Sequence, residues 1–140
     1  MKRAFIAIVA ATGMTLISTL VFAYNSRSGY NIGYYNWLPA PTLIYPINDE
    51  VDLRSKDSLE FKWRNDFMGI RSFIFKLYKG YNMYEAALIY KENVSADNSS
   101  LQIKADLFED GQVYTWSLVQ VALAGQKSDK SFNSFKVEKK

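Results

Sequence analysis

At 140 residues, 49% hydrophobic and 16% aromatic, the chain is long enough to bury one core and argues for a single domain. The formal charge of +3 includes Lys2 and Arg3, which lie in a segment expected to be removed; without them 15 basic residues face 14 acidic ones, and no electrostatic case for nucleic acid is left. The absence of cysteine and histidine excludes disulfides, thiolate metal sites and histidine-based acid–base chemistry.

Behind Met1-Lys2-Arg3, residues 4–23 are free of charge and rich in Ile, Val, Ala and Leu, closing on Leu20-Val21-Phe22-Ala23. A short basic start, an apolar run and a Val-x-Ala ending look like a secretory signal peptide over residues 1–23, cleaved near Ala23. The run is also long enough to span a bilayer, so an uncleaved anchor is the alternative, and the only membrane attachment the sequence offers. Both place the remainder outside the cytoplasm, secreted or in the periplasm or cell envelope.

Residues 24–41 read as a flexible aromatic-rich arm. Asn, Ser and Gly dominate, and Pro39 and Pro41 favour extended geometry. Tyr30, Tyr34, Tyr35 and Trp37 make it a candidate contact arm for a partner, a sugar or another subunit. The plainer reading is a spacer whose Trp37 folds back onto the domain.

From Thr42 onward, short alternating runs are separated by turns. Thr42 to Tyr45 is apolar and stops at Pro46, and Val51 to Leu53 continues on the other sheet. Leu59, Phe61 and Trp63 share one side of the next strand. A loop over 65–69 leads to Ser72–Lys79, with Phe73, Phe75 and Leu77 on one face and Tyr78 on the other. Gly80 turns the chain, and Tyr84 to Ala87 has room for one helical turn. Leu88–Val94 is a weaker strand, and Leu101 and Ile103 alternate toward Leu107. Gly111 precedes the strand with the largest aromatic face, where Tyr114, Trp116 and Leu118 align. A loop containing Gly125 and a last strand, Ser131–Val137, complete about seven strands, the pattern of an antiparallel β-sandwich.

Trp63, which matches the family's core Trp on the second strand, Leu107 with Gly111 and Tyr114 before the sixth, and Gly125-Gln126-Lys127-Ser128 before the last resemble the fibronectin type III family, from about Pro41 to Val137. The Leu107-to-Tyr114 spacing is one residue longer than usual, and Gln120 stands where the family often has a small apolar residue. The resemblance implies an all-β, seven-stranded antiparallel sandwich of immunoglobulin-like type over residues 42–140. Its core would comprise Phe61, Trp63, Phe75, Leu107, Tyr114, Trp116 and Leu118, with the Tyr114 hydroxyl bonded to backbone near Leu107.

No residue pattern points to catalysis. Asp49, Glu50 and Asp52, and Asp106, Glu109 and Asp110, fall at turns and read as solvated acids; no loop has EF-hand spacing, and no cofactor or metal is implied. Tyr78, Tyr81 and Tyr84 surround Gly80 and, if exposed, would form an aromatic platform for sugar rings. Asn93-Val94-Ser95 and Asn98-Ser99-Ser100 fit the glycosylation sequon, and no Arg-Gly-Asp occurs. The expected function is non-catalytic binding or assembly at the cell envelope or outside it, with a protein or glycan partner. The alternatives are a carbohydrate-binding module using the tyrosine cluster, or a structural subunit adding its arm to a neighbour's sheet edge.

Overall fold

The computed structural model describes Trp37–Lys140; the expected signal segment and the arm tyrosines Tyr30, Tyr34 and Tyr35 lie outside the described residues. Strands β1 (Thr42–Tyr45), β3 (Ser58–Arg64) and β6 (Ser100–Lys104) form one sheet in the order β1-β3-β6. Strands β2 (Glu50–Asp52), β4 (Ile70–Lys79), β5 (Leu88–Ser95), β7 (Val113–Ala122) and β8 (Ser131–Glu138) form the other, ordered β2-β8-β7-β4-β5. The all-β expectation holds, with two corrections. There are eight strands, because Glu50–Asp52 forms its own rung, and that rung pairs with β8 in parallel. A three-residue strand carries too little alternation to be told from a turn by sequence.

The two strands with the clearest alternation face each other across the sandwich. Leu59, Phe61 and Trp63 of β3 and Tyr114, Trp116 and Leu118 of β7 are all buried. Phe61 is the hub, its ring 5.2 Å from Trp116, 5.0 Å from Phe75 and 5.7 Å from Phe135, each edge-on. Edge-to-face packing aligns ring quadrupoles favourably and fills the gap between sheets without a disulfide. The Trp116 indole N–H donates to the Pro46 carbonyl at 2.9 Å, tying the core to the crossover between sheets. Trp63 is equally buried, yet its indole nitrogen has no hydrogen-bond partner among the described residues.

Leu107 is the one correction to the expected core. It is only half-buried, and Phe108 is sealed in its place, 5.1 Å from Tyr114 and 6.1 Å from Phe135. A 3₁₀ turn over Ala105–Leu107 shifts the phase by one residue, which absorbs the extra residue in the spacing. The Tyr114 hydroxyl accepts a hydrogen bond from the Glu109 backbone N–H at 2.8 Å, the expected corner.

Strand alternation sorts every connection except the 46–49 crossover to one of two ends of the sandwich. Residues 37–41 and the loops 65–69, 96–99 and 123–130 lie at one end; residues 53–57, 80–87 and 105–112 lie at the other. Residues read as the end of the arm are attached to the first of these. Leu38 packs against the core, the Pro39 carbonyl accepts from the Gln120 side-chain amide, and the Pro41 carbonyl accepts from the Ser131 hydroxyl. Gln120 is thus buried for a purpose, bonding backbone that no neighbouring strand pairs. Trp37 itself stands in solvent, 65% exposed, and does not fold back.

Candidate functional site

The site forms where the β4–β5 loop leans over the outer face of β7 and β8. Gly80 has φ +86°, a left-handed conformation that suits glycine, and its backbone is clamped twice. Its N–H donates to the Val113 carbonyl at 2.8 Å, and its carbonyl accepts from the Thr115 hydroxyl at 2.7 Å. Thr115 spends its only hydroxyl proton there, so the 2.8 Å contact between Thr115 Oγ1 and Ser134 Oγ has Ser134 as donor. The clamp fixes where the next residue, Tyr81, emerges.

Tyr81 borders a cleft of about 360 Å³. Asn48, Asp49 and Glu50 line it on one side, and Val113, Ser134, Phe135 and Lys136 complete the lining. The acids are presented by the segment entering β2. Asn48, with φ 47°, turns the chain and gives its N–H to Asn133 Oδ1 at 2.7 Å, while the Asp49 carbonyl accepts from the Lys136 N–H at 3.0 Å. Lys136 Nζ lies 2.9 Å from Glu50 Oε1. That ammonium holds the Glu50 carboxyl below the usual carboxylate range and is itself raised in return; the Glu138 carboxyl is pushed up, first by its hydrogen bond with Glu50 and then by the repulsion between the two charges. Asp49 is exposed, enters no ion pair among the described residues, and its charge helps raise the Tyr45 hydroxyl after burial does.

The structure does not bring the expected tyrosine trio together as a platform. Tyr78 is 2% exposed and cannot stack on a ligand: it pairs with Thr115, the residue against which Gly80 folds the chain back. Tyr84 is exposed but lies outside the cleft lining, leading into the 3₁₀ turn Glu85–Ala87. Tyr81, 72% exposed, alone joins the polar groups. Asp49 and Glu50 read from sequence as turn acids; nothing local to them signals partners about thirty and over eighty residues further along the chain, at Tyr81 and Lys136. Among the described residues, no group of three or more His, Cys, Asp or Glu side chains converges as a metal site would require.

No family model and no curated protein matches the chain. Solved structures do. A computationally redesigned β-sandwich protein aligns with 73% of the chain and 97% of its own length, at TM-score 0.53 and 11% identity. The FN1–FN3 domains of chicken CNTN1 align with 72% of the chain, at TM-score 0.52 and 14% identity. The fold is that of a fibronectin type III domain. The chain spans 33% of the CNTN1 structure, the extent of one domain in that array of three. Within the fibronectin type III fold, the corner at Tyr114 and the core Trp63 stand where the sequence resemblance implies.

Proposed function

We propose that this fibronectin type III-like domain is an exported, non-catalytic binding module that takes a glycan in the cleft beside Tyr81. The fold commonly serves binding and assembly, but it is a scaffold for many functions, so the proposal rests on the site. The observation that carries it is the pairing of one exposed aromatic ring with convergent polar groups. A sugar presents an apolar face of C–H bonds and a rim of hydroxyls. The Tyr81 ring suits the face; the Asp49 carboxylate, the Asn48 side chain and the Lys136–Glu50 pair suit the rim, since a carboxylate accepts from two hydroxyls and an ammonium donates to others. The export signal read in residues 1–23 would deliver the domain to a compartment where glycans are abundant.

The test is glycan-array binding followed by Tyr81→Ala. Because Tyr81 is largely exposed, the variant should keep its melting temperature while affinity for the bound glycan falls about tenfold, the loss of roughly 1.4 kcal/mol of stacking. Silence across diverse polysaccharides, or undiminished binding by the variant, would refute the glycan reading.

A further inference from the structure

The opposite end of the sandwich carries a different surface. Met68 is 99% exposed, Leu123 69%, Trp37 65% and Phe67 42%. They come from three separate segments: the β3–β4 loop, the β7–β8 loop and the residues before β1. The first two loops are held together, the Leu123 N–H donating to the Gly69 carbonyl at 2.8 Å. Trp37 lies two residues before Pro39, which is bonded to Gln120 near the same end of β7. Single exposed apolar residues are ordinary, but several large ones gathered on one end mark a contact surface.

We propose that this end of the domain inserts into the surface of a lipid bilayer. Three features choose lipid over a protein. The side chains stand out from the loops, and a bilayer accepts protrusions without a complementary surface, whereas a protein partner must match them. The composition is that of a membrane interface, with an indole for the headgroup level and Met, Leu and Phe for the acyl boundary. In sequence, the thirteen residues preceding Trp37 add Tyr24, Tyr30, Tyr34 and Tyr35, ring types suited to the membrane interface. Charges around the tip are mixed: Arg64 is paired with Asp66 at 2.6 Å, and Lys127 and Lys130 stand beside Asp129 in the same loop. Insertion is therefore apolar, needing no anionic lipid and resisting salt.

The absence of native cysteine allows the test to be made by single-site labelling of the full chain. An environment-sensitive fluorophore is placed at Met68→Cys, Leu123→Cys or, at the far end, Tyr84→Cys, and each protein is mixed with phosphatidylcholine vesicles with and without phosphatidylglycerol. Blue-shifted emission and quenching by brominated lipid at positions 68 and 123 but not at 84, equal in both vesicle types and in high salt, is the expected result. Aqueous emission at 68 and 123 while the chain co-sediments with vesicles would overturn the proposal, as would a failure to bind vesicles. A concentration-dependent shift at 68 without lipid would also overturn it, in favour of a second copy of the chain. The double variant Met68→Asp/Leu123→Asp should lower vesicle partitioning of the tip, read from a label at Phe67→Cys, at least tenfold without loss of fold; unchanged partitioning would count against insertion.

Discussion

The two ends of this sandwich expose different large side chains: one leaves the phenols of Tyr81 and Tyr84 in solvent, the other leaves Met68, Leu123, Trp37 and Phe67. At the end formed by residues 53–57, 80–87 and 105–112, Phe108 and Tyr114 are sealed into the core and the surrounding backbone is bonded. The Glu109 N–H meets the Tyr114 hydroxyl, the Lys139 ammonium caps the carbonyls of Ala105 and Phe108 at 3.0 Å each, and the Gly111 N–H reaches the Val137 carbonyl at 2.8 Å. At the other end Met68 and Leu123 are out in water. An apolar group buried at one end stabilises the fold; the same kind of group exposed at the other contributes nothing to it and is free to serve a contact. The contrast separates structural aromatics from candidate functional ones by burial, where composition alone treats them alike.

The contrast is broken most sharply by truncating a side chain at the sealed end. Phe108→Ala should cost about 3–5 kcal/mol, because a fully buried ring leaves a cavity between Phe61, Tyr114 and Phe135. Denaturant unfolding measures it, and a loss under 1 kcal/mol would mean that end is not closed as described.

A smaller effect tests the corner. Tyr114→Phe should cost about 1 kcal/mol at neutral pH, the worth of a buried hydrogen bond. The same residue gives a pH signature. Burial raises the Tyr114 hydroxyl above its ordinary value, as burial does for Tyr45 and the Glu92 hydrogen bond does for Tyr90. A raised folded pKa means the native state holds the proton more tightly than the unfolded chain. That stabilisation is complete below pH 10 and disappears as pH climbs through the raised values. Urea midpoints should therefore stay level up to about pH 10 and fall beyond it, less steeply in Tyr114→Phe. An alkaline limb of the same slope in both proteins would contradict the assignment.

The least effect belongs to the open end. Met68→Ser should change stability by no more than about 0.5 kcal/mol, as expected of a surface substitution with no partner to lose. A larger cost would show that Met68 packs against something that holds the fold, and would remove the reason for assigning it a contact.

Much of the fold was legible residue by residue. Period-two alternation put Phe61 and Trp63, Phe75, and Tyr114, Trp116 and Leu118 on inward faces, and the glycine before β7 marked the turn that starts it. The candidate site was only partly legible. Tyr81 stood out as an aromatic beside a turn glycine, but alternation put Tyr78 on the outer face with no sign that it would be buried there. The phase of the turn before Phe108 was also ambiguous, since a 3₁₀ turn moves a side chain by one residue and no periodic signal records the move.

Local chemistry along the chain, namely which residue types alternate and where glycine, proline and asparagine interrupt them, determined that this protein is two β-layers closed by aromatic burial. That follows because strand periodicity and turn propensity act over a few residues and need no distant partner. Tertiary structure alone decided that Asp49 and Glu50 meet Tyr81 and Lys136, that Gln120 bonds Pro39, and that Met68 and Leu123 share one tip. Those meetings depend on strand order and register across dozens of residues, set by how the whole hydrophobic face packs and written in no single segment.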